Sequence, residues 1–212
     1  MDPASQTLRT VEVPLESGVL AHIRPILPSD APLLVEGLGS LSEESRFARF
    51  GIGLDHLSRS ELEYLTRVDH REHVAMGALV GDVPAGVGRY VLIPDSNCAE
   101  VALAVVDEFQ GRGLGRELFE ALAAIARHDG IEFFCFEVAE SNDRVRQILN
   151  HLEVEITAGL SDGRVELAEL PDLARGISKL DWTPKFDPES RTLLEKSGSV
   201  IYRRTIWNLE FA

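Results

Sequence analysis

Asp107-Glu108-Phe109-Gln110-Gly111-Arg112-Gly113-Leu114-Gly115-Arg116 joins an apolar run, Ala99–Val106, to a segment in which Leu118, Phe119, Leu122, Ile125 and Ala126 recur at helical spacing. This pattern predicts a strand, a turn and an amphipathic helix that stops at Asp129-Gly130. With no side chains at Gly111, Gly113 and Gly115, main-chain N–H groups can surround an anion. The positive end of the helix points at the same place. Arg112 and Arg116 add cationic charge, a local reversal of sign in a chain of formal net charge −14. A phosphate or pyrophosphate is the expected occupant.

Three kinds of turn compete for this reading. A nucleotide-binding Walker loop needs Gly-Lys-Ser/Thr, and Gly115-Arg116-Glu117 does not supply it. A dinucleotide fingerprint needs G-x-G-x-x-G directly after its strand. Here the spacing is G-x-G-x-G, with Asp107 to Gln110 intervening. Glu137 falls near the distance of the ribose-binding acid but sits within a predicted strand. A purely structural glycine turn does not account for the two arginines beside it.

Working outward, Ile131–Ala139 reads as a strand, and Asn142 or Asp143 caps a helix facing inward through Val145, Ile148, Leu149 and Leu152. Val154–Ala158 and Arg164–Ala168 flank the turn Ser161-Asp162-Gly163. Upstream, His73–Val80 and Ala85–Ile93 form a hairpin around Gly81-Asp82-Val83-Pro84. Before it come a strand, Leu20–Arg24, stopped by Pro25, and three short helices. The third helix opens with the capping-box pattern Ser58-x-x-Glu61. The order β-ααα-β-β-β-α-β-α-β-β predicts an α/β (α+β) domain, a mixed and largely antiparallel sheet with helices on both faces. It spans 18–170. Residues 171–212, punctuated by Pro171, Pro184 and Pro188, read as a C-terminal extension. Its Trp207, Leu209 and Phe211 alternate, and it packs on the domain or across a homodimer.

The acidic balance, 35 Asp and Glu against 21 Lys and Arg, excludes a nucleic-acid binder that needs a positive footprint. It suits a cationic acceptor such as an amine. No apolar run reaches the roughly 20 residues of a membrane span, and no signal peptide is visible at the start, so a cytoplasmic protein is expected. Cys98 and Cys135 read as buried, reduced thiols. Asp69, His70, Glu72 and His73 match no zinc spacing, and no metal is expected.

The signature Gln/Arg-x-x-Gly-x-Gly/Ala at the start of a helix after a fourth strand marks the GNAT superfamily of N-acetyltransferases. Gln110-Gly111-Arg112-Gly113-Leu114-Gly115 resembles it at every fixed position. Leu41-Ser42-Glu43-Glu44-Ser45-Arg46-Phe47-Ala48-Arg49-Phe50 and Val68-Asp69-His70-Arg71-Glu72-His73-Val74-Ala75 look like the bacterial protein-lysine acetyltransferases within it. The resemblance implies acetyl-CoA as cosubstrate and an amine acceptor, above all a protein lysine, acetylated directly. It implies cofactor contacts from Ala104, Val105, Val106, Gln110, Gly111, Arg112, Gly113, Leu114, Gly115, Arg116 and Asn142, and a general base at Glu100. A main-chain N–H near Val105 or Val106 would polarise the carbonyl. A base is useful because a lysine-like amine, of reference pKa about 10.4, is neutral in only about one molecule in a thousand at pH 7. The sequence departs from the family at Leu149, where many members carry a tyrosine acid, and at Glu153-Val154, where they carry Gly-Phe. Two alternatives stay open: a polyamine- or antibiotic-type small amine as acceptor, and a catalytically silent acetyl-CoA sensor.

Overall fold

A computed structural model describes residues 10–50, 54–137 and 162–166. The strands are β1 (Val11–Pro14), β2 (Leu20–Pro25), β3 (His73–Val80), β4 (Val83–Leu92), β5 (Cys98–Val105), β6 (Phe133–Glu137) and β7 (Asp162–Glu166). The helices are α1 (Ala31–Gly39), α2 (Glu43–Phe50), α3 (Arg59–Thr66) and α4 (Leu114–His128). The seven strands among the described residues form one sheet in chain order, antiparallel throughout except for the parallel pair β5–β6. The expected mixed, largely antiparallel sheet is therefore present.

Local chemistry explains most boundaries. Ser58 Oγ accepts the Glu61 N–H at 3.3 Å while the Ser58 N–H donates to Glu61 Oε2 at 2.6 Å, so the capping box that opens α3 is formed. The β3–β4 hairpin closes through two residues, with positive φ at Gly81 (60°) but not at Asp82. That is the type II′ pattern, which places glycine first. β1 was not anticipated, because four residues beside a polar leader give too short a run for periodicity to register. The turn expected at Ser161-Asp162-Gly163 is also revised. Asp162 and Gly163 lie in β7, paired with Glu137 and Phe136, so strand register overrides the local turn composition. The helix expected after Asn142, the strand at 154–158 and the extension 171–212 lie outside the described residues.

The two faces of the sheet are covered differently. A Cβ at Gly86 would meet Leu118 at 3.2 Å, and one at Gly88 would meet Leu103 at 2.8 Å and Leu122 at 3.0 Å. Even-numbered residues of this part of β4 thus face α4, whose Leu114, Leu118, Phe119 and Leu122 are buried. Val87 and Arg89 face the other way, toward α1 and α3. Helices on both faces follow. Gly88→Ala should cost about 1–3 kcal/mol through overpacking against Leu103 and Leu122. A lowered melting temperature with an unchanged circular-dichroism spectrum would check it.

Cys98 and Cys135 are disulfide-bonded rather than reduced. Sequence alone gave no reason to pair them. Parallel pairing of β5 with β6 brings their Cα atoms to 6.2 Å, within the span of a disulfide.

Candidate functional site

β5 is eight residues long but pairs with β6 only over Cys98–Glu100. Beyond Glu100 its outer edge runs unpaired along the described part of β6. Which peptide groups lie on that edge follows from one bond. The Val106 N–H donates to Ala85 C=O at 2.9 Å, so Ala85 and Val106 form a hydrogen-bonded pair. Alternation makes Val87–Ala104 and Arg89–Ala102 hydrogen-bonded pairs as well. The main-chain groups of Leu103 and Val105 therefore turn away from β4. Of the expected contacts, the N–H groups of Ala104 and Val106 are committed to β4, whereas that of Val105 faces the edge away from it. Leu103 joins Val105 on the edge, a residue the sequence reading omitted.

A single 3₁₀ turn, Asp107–Phe109, carries the chain from β5 into the glycine segment. Gly111 has φ 66° and Gly113 has φ 86°, both in the left-handed region that favours glycine. Gly113 is the N-cap of α4, and the Glu117 N–H donates to Gly113 C=O as the first helical bond. The N–H groups of Leu114, Gly115 and Arg116 thus have no acceptor within the helix and open on the same side as the helix dipole. The turn is held from several directions. Gln110 Nε2 donates to Val105 C=O at 2.8 Å and to Ser45 Oγ at 3.2 Å. Arg112 C=O accepts the Glu16 N–H at 3.1 Å. Gln110 therefore acts as a brace inside the protein.

The two arginines differ in freedom. Arg112 lies over the Phe109 ring, 5.8 Å from its centre. Arg116 Nε donates to Glu120 Oε1 at 2.6 Å, so part of its charge is offset one turn along.

Asp107 was not singled out from sequence. Its carboxylate accepts from the Ser42 N–H at 2.9 Å, Ser42 Oγ at 2.7 Å and Ser45 Oγ at 2.8 Å. This pins the start of α2 to the turn that follows β5. The partners are 62 to 65 residues apart, and no local pattern announces them.

Glu100 is half-buried and pairs with Val91 on β4. It therefore faces the α1–α3 side, with Ala102, Ala104 and Val106. On that side lies a cavity of about 90 Å³ walled by leucines of α1 and α3, with Arg89, Ala104 and Val106 in its floor. Behind it sits a buried polar cluster. Asp69 Oδ1 accepts the N–H groups of Arg71, Glu72 and His73 at 2.9, 3.0 and 2.8 Å, anchoring the loop into β3. Among the described residues no three His, Cys, Asp or Glu side chains converge to hold a metal. Asn142 and Leu149 lie outside the described residues.

His70 makes this cluster sensitive to acid. Burial pushes its pKa down to about 4, against a smaller upward pull from Asp69. In the unfolded chain it takes a proton near its ordinary pKa of about 6.5. Between those values only the unfolded state is protonated, so stability falls as pH drops through that window. The loss should be on the order of 3 kcal/mol, and burial lowers His73 in the same direction. Asparagine tolerates the φ of 56° at position 70. His70→Asn should remove the His70 share of this acid limb and leave that of His73, which denaturant titrations at about pH 7 and about pH 4.5 would show.

The sequence profile of the Acetyltransferase (GNAT) family matches residues 38–151. Acetyltransferase Pat of Mycolicibacterium smegmatis is 31% identical over 150 residues, covering 67% of this chain and 43% of that protein. Acetyltransferase PA5475 of Pseudomonas aeruginosa is 29% identical over 120 residues, covering 55% and 64%. The chain thus spans less than two thirds of the length of either of these relatives. The crystal structure of the GNAT domain of S. lividans PAT superposes with a TM-score of 0.67 at 29% identity, covering 74% of this chain and 95% of that one.

Proposed function

The chain belongs to the acetyltransferase (GNAT) family, and from that premise we propose that it transfers an acetyl group directly from acetyl-CoA to an amine, with a protein lysine as acceptor. The observation that carries the transfer chemistry is the open edge of β5 at Leu103 and Val105, leading into the outward N–H groups at the start of α4. In this reading the CoA pyrophosphate rests on the N–H groups of Gly111 to Arg116, with Arg112 and the rest of the Arg116 guanidinium beside it. The pantetheine arm pairs with Leu103 and Val105 as an added strand. Ala104 and Val106 contribute side chains to the cavity wall, and Asn142 a further cofactor contact by family likeness.

The Val105 N–H then faces the thioester carbonyl and stabilises the charge that develops on its oxygen. Glu100, directly or through one water, takes a proton from the amine as the nitrogen bonds to the carbonyl carbon. The C–S bond breaks as the amide forms. With an ordinary thiol pKa of about 8.5, the thiolate leaves without the tyrosine missing at position 149 and takes its proton from solvent.

The lysine reading is supported by the two family-like stretches, which become α2, pinned by Asp107, and the loop into β3 behind the cavity. A small amine is the second reading, favoured by the cavity's small volume and leucine walls. Acetyl-CoA chemistry fits a cytoplasmic setting, and no described helix is long and apolar enough to cross a membrane. The alternating Trp207, Leu209 and Phe211 suit a homodimer contact, checked by the mass in solution. Incubation with acetyl-CoA and a panel of lysine peptides and small amines should release CoA in step with amide formation. Tight binding of acetyl-CoA with no transfer to any member would instead identify a silent sensor.

A further inference from the structure

Arg89 interrupts the otherwise apolar middle of β4, Val87-Gly88-Arg89-Tyr90-Val91. Only 3% of it is exposed. The partly buried Arg24 has its carboxylate, Asp30, at 2.6 and 2.8 Å, and Arg116 has Glu120. Arg89 has no such partner among the described residues. It makes no ion pair among the described residues, and its hydrogen bond there is from Nη1 to His73 Nε2 at 3.3 Å.

His73 does not neutralise it. Burial first, and then the charge of Arg89, hold its pKa well below the ordinary value, so the imidazole is neutral at pH 7. Its Nδ1 has no hydrogen-bond partner among the described residues. Burial pushes Arg89 down to about 10, which leaves it charged at neutral pH. A buried cation without a counter-ion is costly unless an anion comes to it.

Arg89 lines the leucine-walled cavity together with Leu34, Leu38, Leu57 and Leu65. Glu61, the acidic side chain of the lining, is engaged by the Ser58 N–H at 2.6 Å in the α3 capping box. Arg89 pairs with Ala102 and Val91 with Glu100, so Arg89 and Glu100 are diagonal neighbours on one face, about 7–8 Å apart at the backbone. A group bound to Arg89 lies beside the proposed base.

We propose that Arg89 and this cavity form an acceptor subsite for a carboxylate carried on an apolar body, set next to the amine that is acetylated. Its place in the reaction rests on the acetyl-transfer reading above; the binding itself does not. The carboxylate comes either from a free amino acid with an apolar side chain or from an acidic side chain beside a protein lysine. The fork of the guanidinium suits two parallel hydrogen bonds to its oxygens.

Two transfer arms and one binding arm test this. With acetyl-CoA, rates are compared for L-leucine against L-leucinamide, and for lysine peptides with Glu against Gln beside the lysine. Without turnover, calorimetry compares the affinities of L-leucine and L-leucinamide, and of each peptide pair. A preference for the carboxylate of about ten- to a hundredfold is expected in one pair. It should collapse in Arg89→Gln and shrink in Arg89→Lys, which keeps the charge but loses the fork. Preference in the leucine pair identifies a small acceptor; preference in the peptides identifies a protein. Transfer without preference in either pair overturns the subsite and leaves the acetyltransferase reading intact. Arg89-dependent binding without any transfer does the reverse. Since Arg89→Gln can fail to fold, the comparisons within the wild-type protein decide the matter by themselves.

Discussion

Replacing Glu100 with glutamine should lower acetyl transfer at neutral pH by at least about a hundredfold, with little change in the affinity for acetyl-CoA. The two outcomes separate because Glu100 and the cofactor edge use different sides of one strand. Glu100 lies on the sheet face that carries the leucine-walled cavity, whereas the main-chain groups of Leu103 and Val105 lie along the strand edge that faces away from β4. Glutamine keeps the size and hydrogen-bonding capacity of the side chain but cannot take the proton. The deficit should narrow as pH rises toward the amine's own pKa, where the acceptor is deprotonated without help. Initial rates across pH for both proteins test this, and an unchanged rate at neutral pH removes Glu100 from the mechanism.

Gly113→Val should weaken acetyl-CoA binding by about a hundredfold or more. Two effects add. The backbone at φ 86° is a left-handed conformation that costs a β-branched residue roughly 1–2 kcal/mol or more. The new side chain also adds bulk at the N-cap of α4, next to the N–H groups proposed to receive the pyrophosphate. Gly111→Ala is the milder companion, since a Cβ there meets nothing within 4 Å and the cost is conformational alone. Calorimetric titration with acetyl-CoA separates them. Equal affinities for Gly113→Val and the parent chain would show that the anion lies elsewhere.

The path from sequence to site was open where a signal was local. Leu114–His128 was legible because its apolar residues keep one helical face, and the glycines announce a turn whose φ angles require them. The choice between Val105 and Val106 was not legible. It depends on which peptide groups of β5 face β4, and that parity is a property of strand register. Ser42, Ser45 and Asp107 were hidden for a similar reason, since their contact joins segments more than 60 residues apart. Cys98 and Cys135 could be judged only once two parallel strands were adjacent. Arg89 did carry a readable mark, a lone charge within an apolar strand. Glu100, by contrast, was indicated by family likeness.

The unpaired stretch of β5 also bears on how long the folded chain persists. An exposed strand edge can recruit other chains as readily as a ligand. If the pantetheine arm pairs with β5, acetyl-CoA serves as a removable strand as well as a reactant. Its concentration then sets the population of the folded chain by mass action, adding about 2.7 kcal/mol at a hundredfold excess over the dissociation constant. Lifetime and solubility in solution would then rise with added acetyl-CoA.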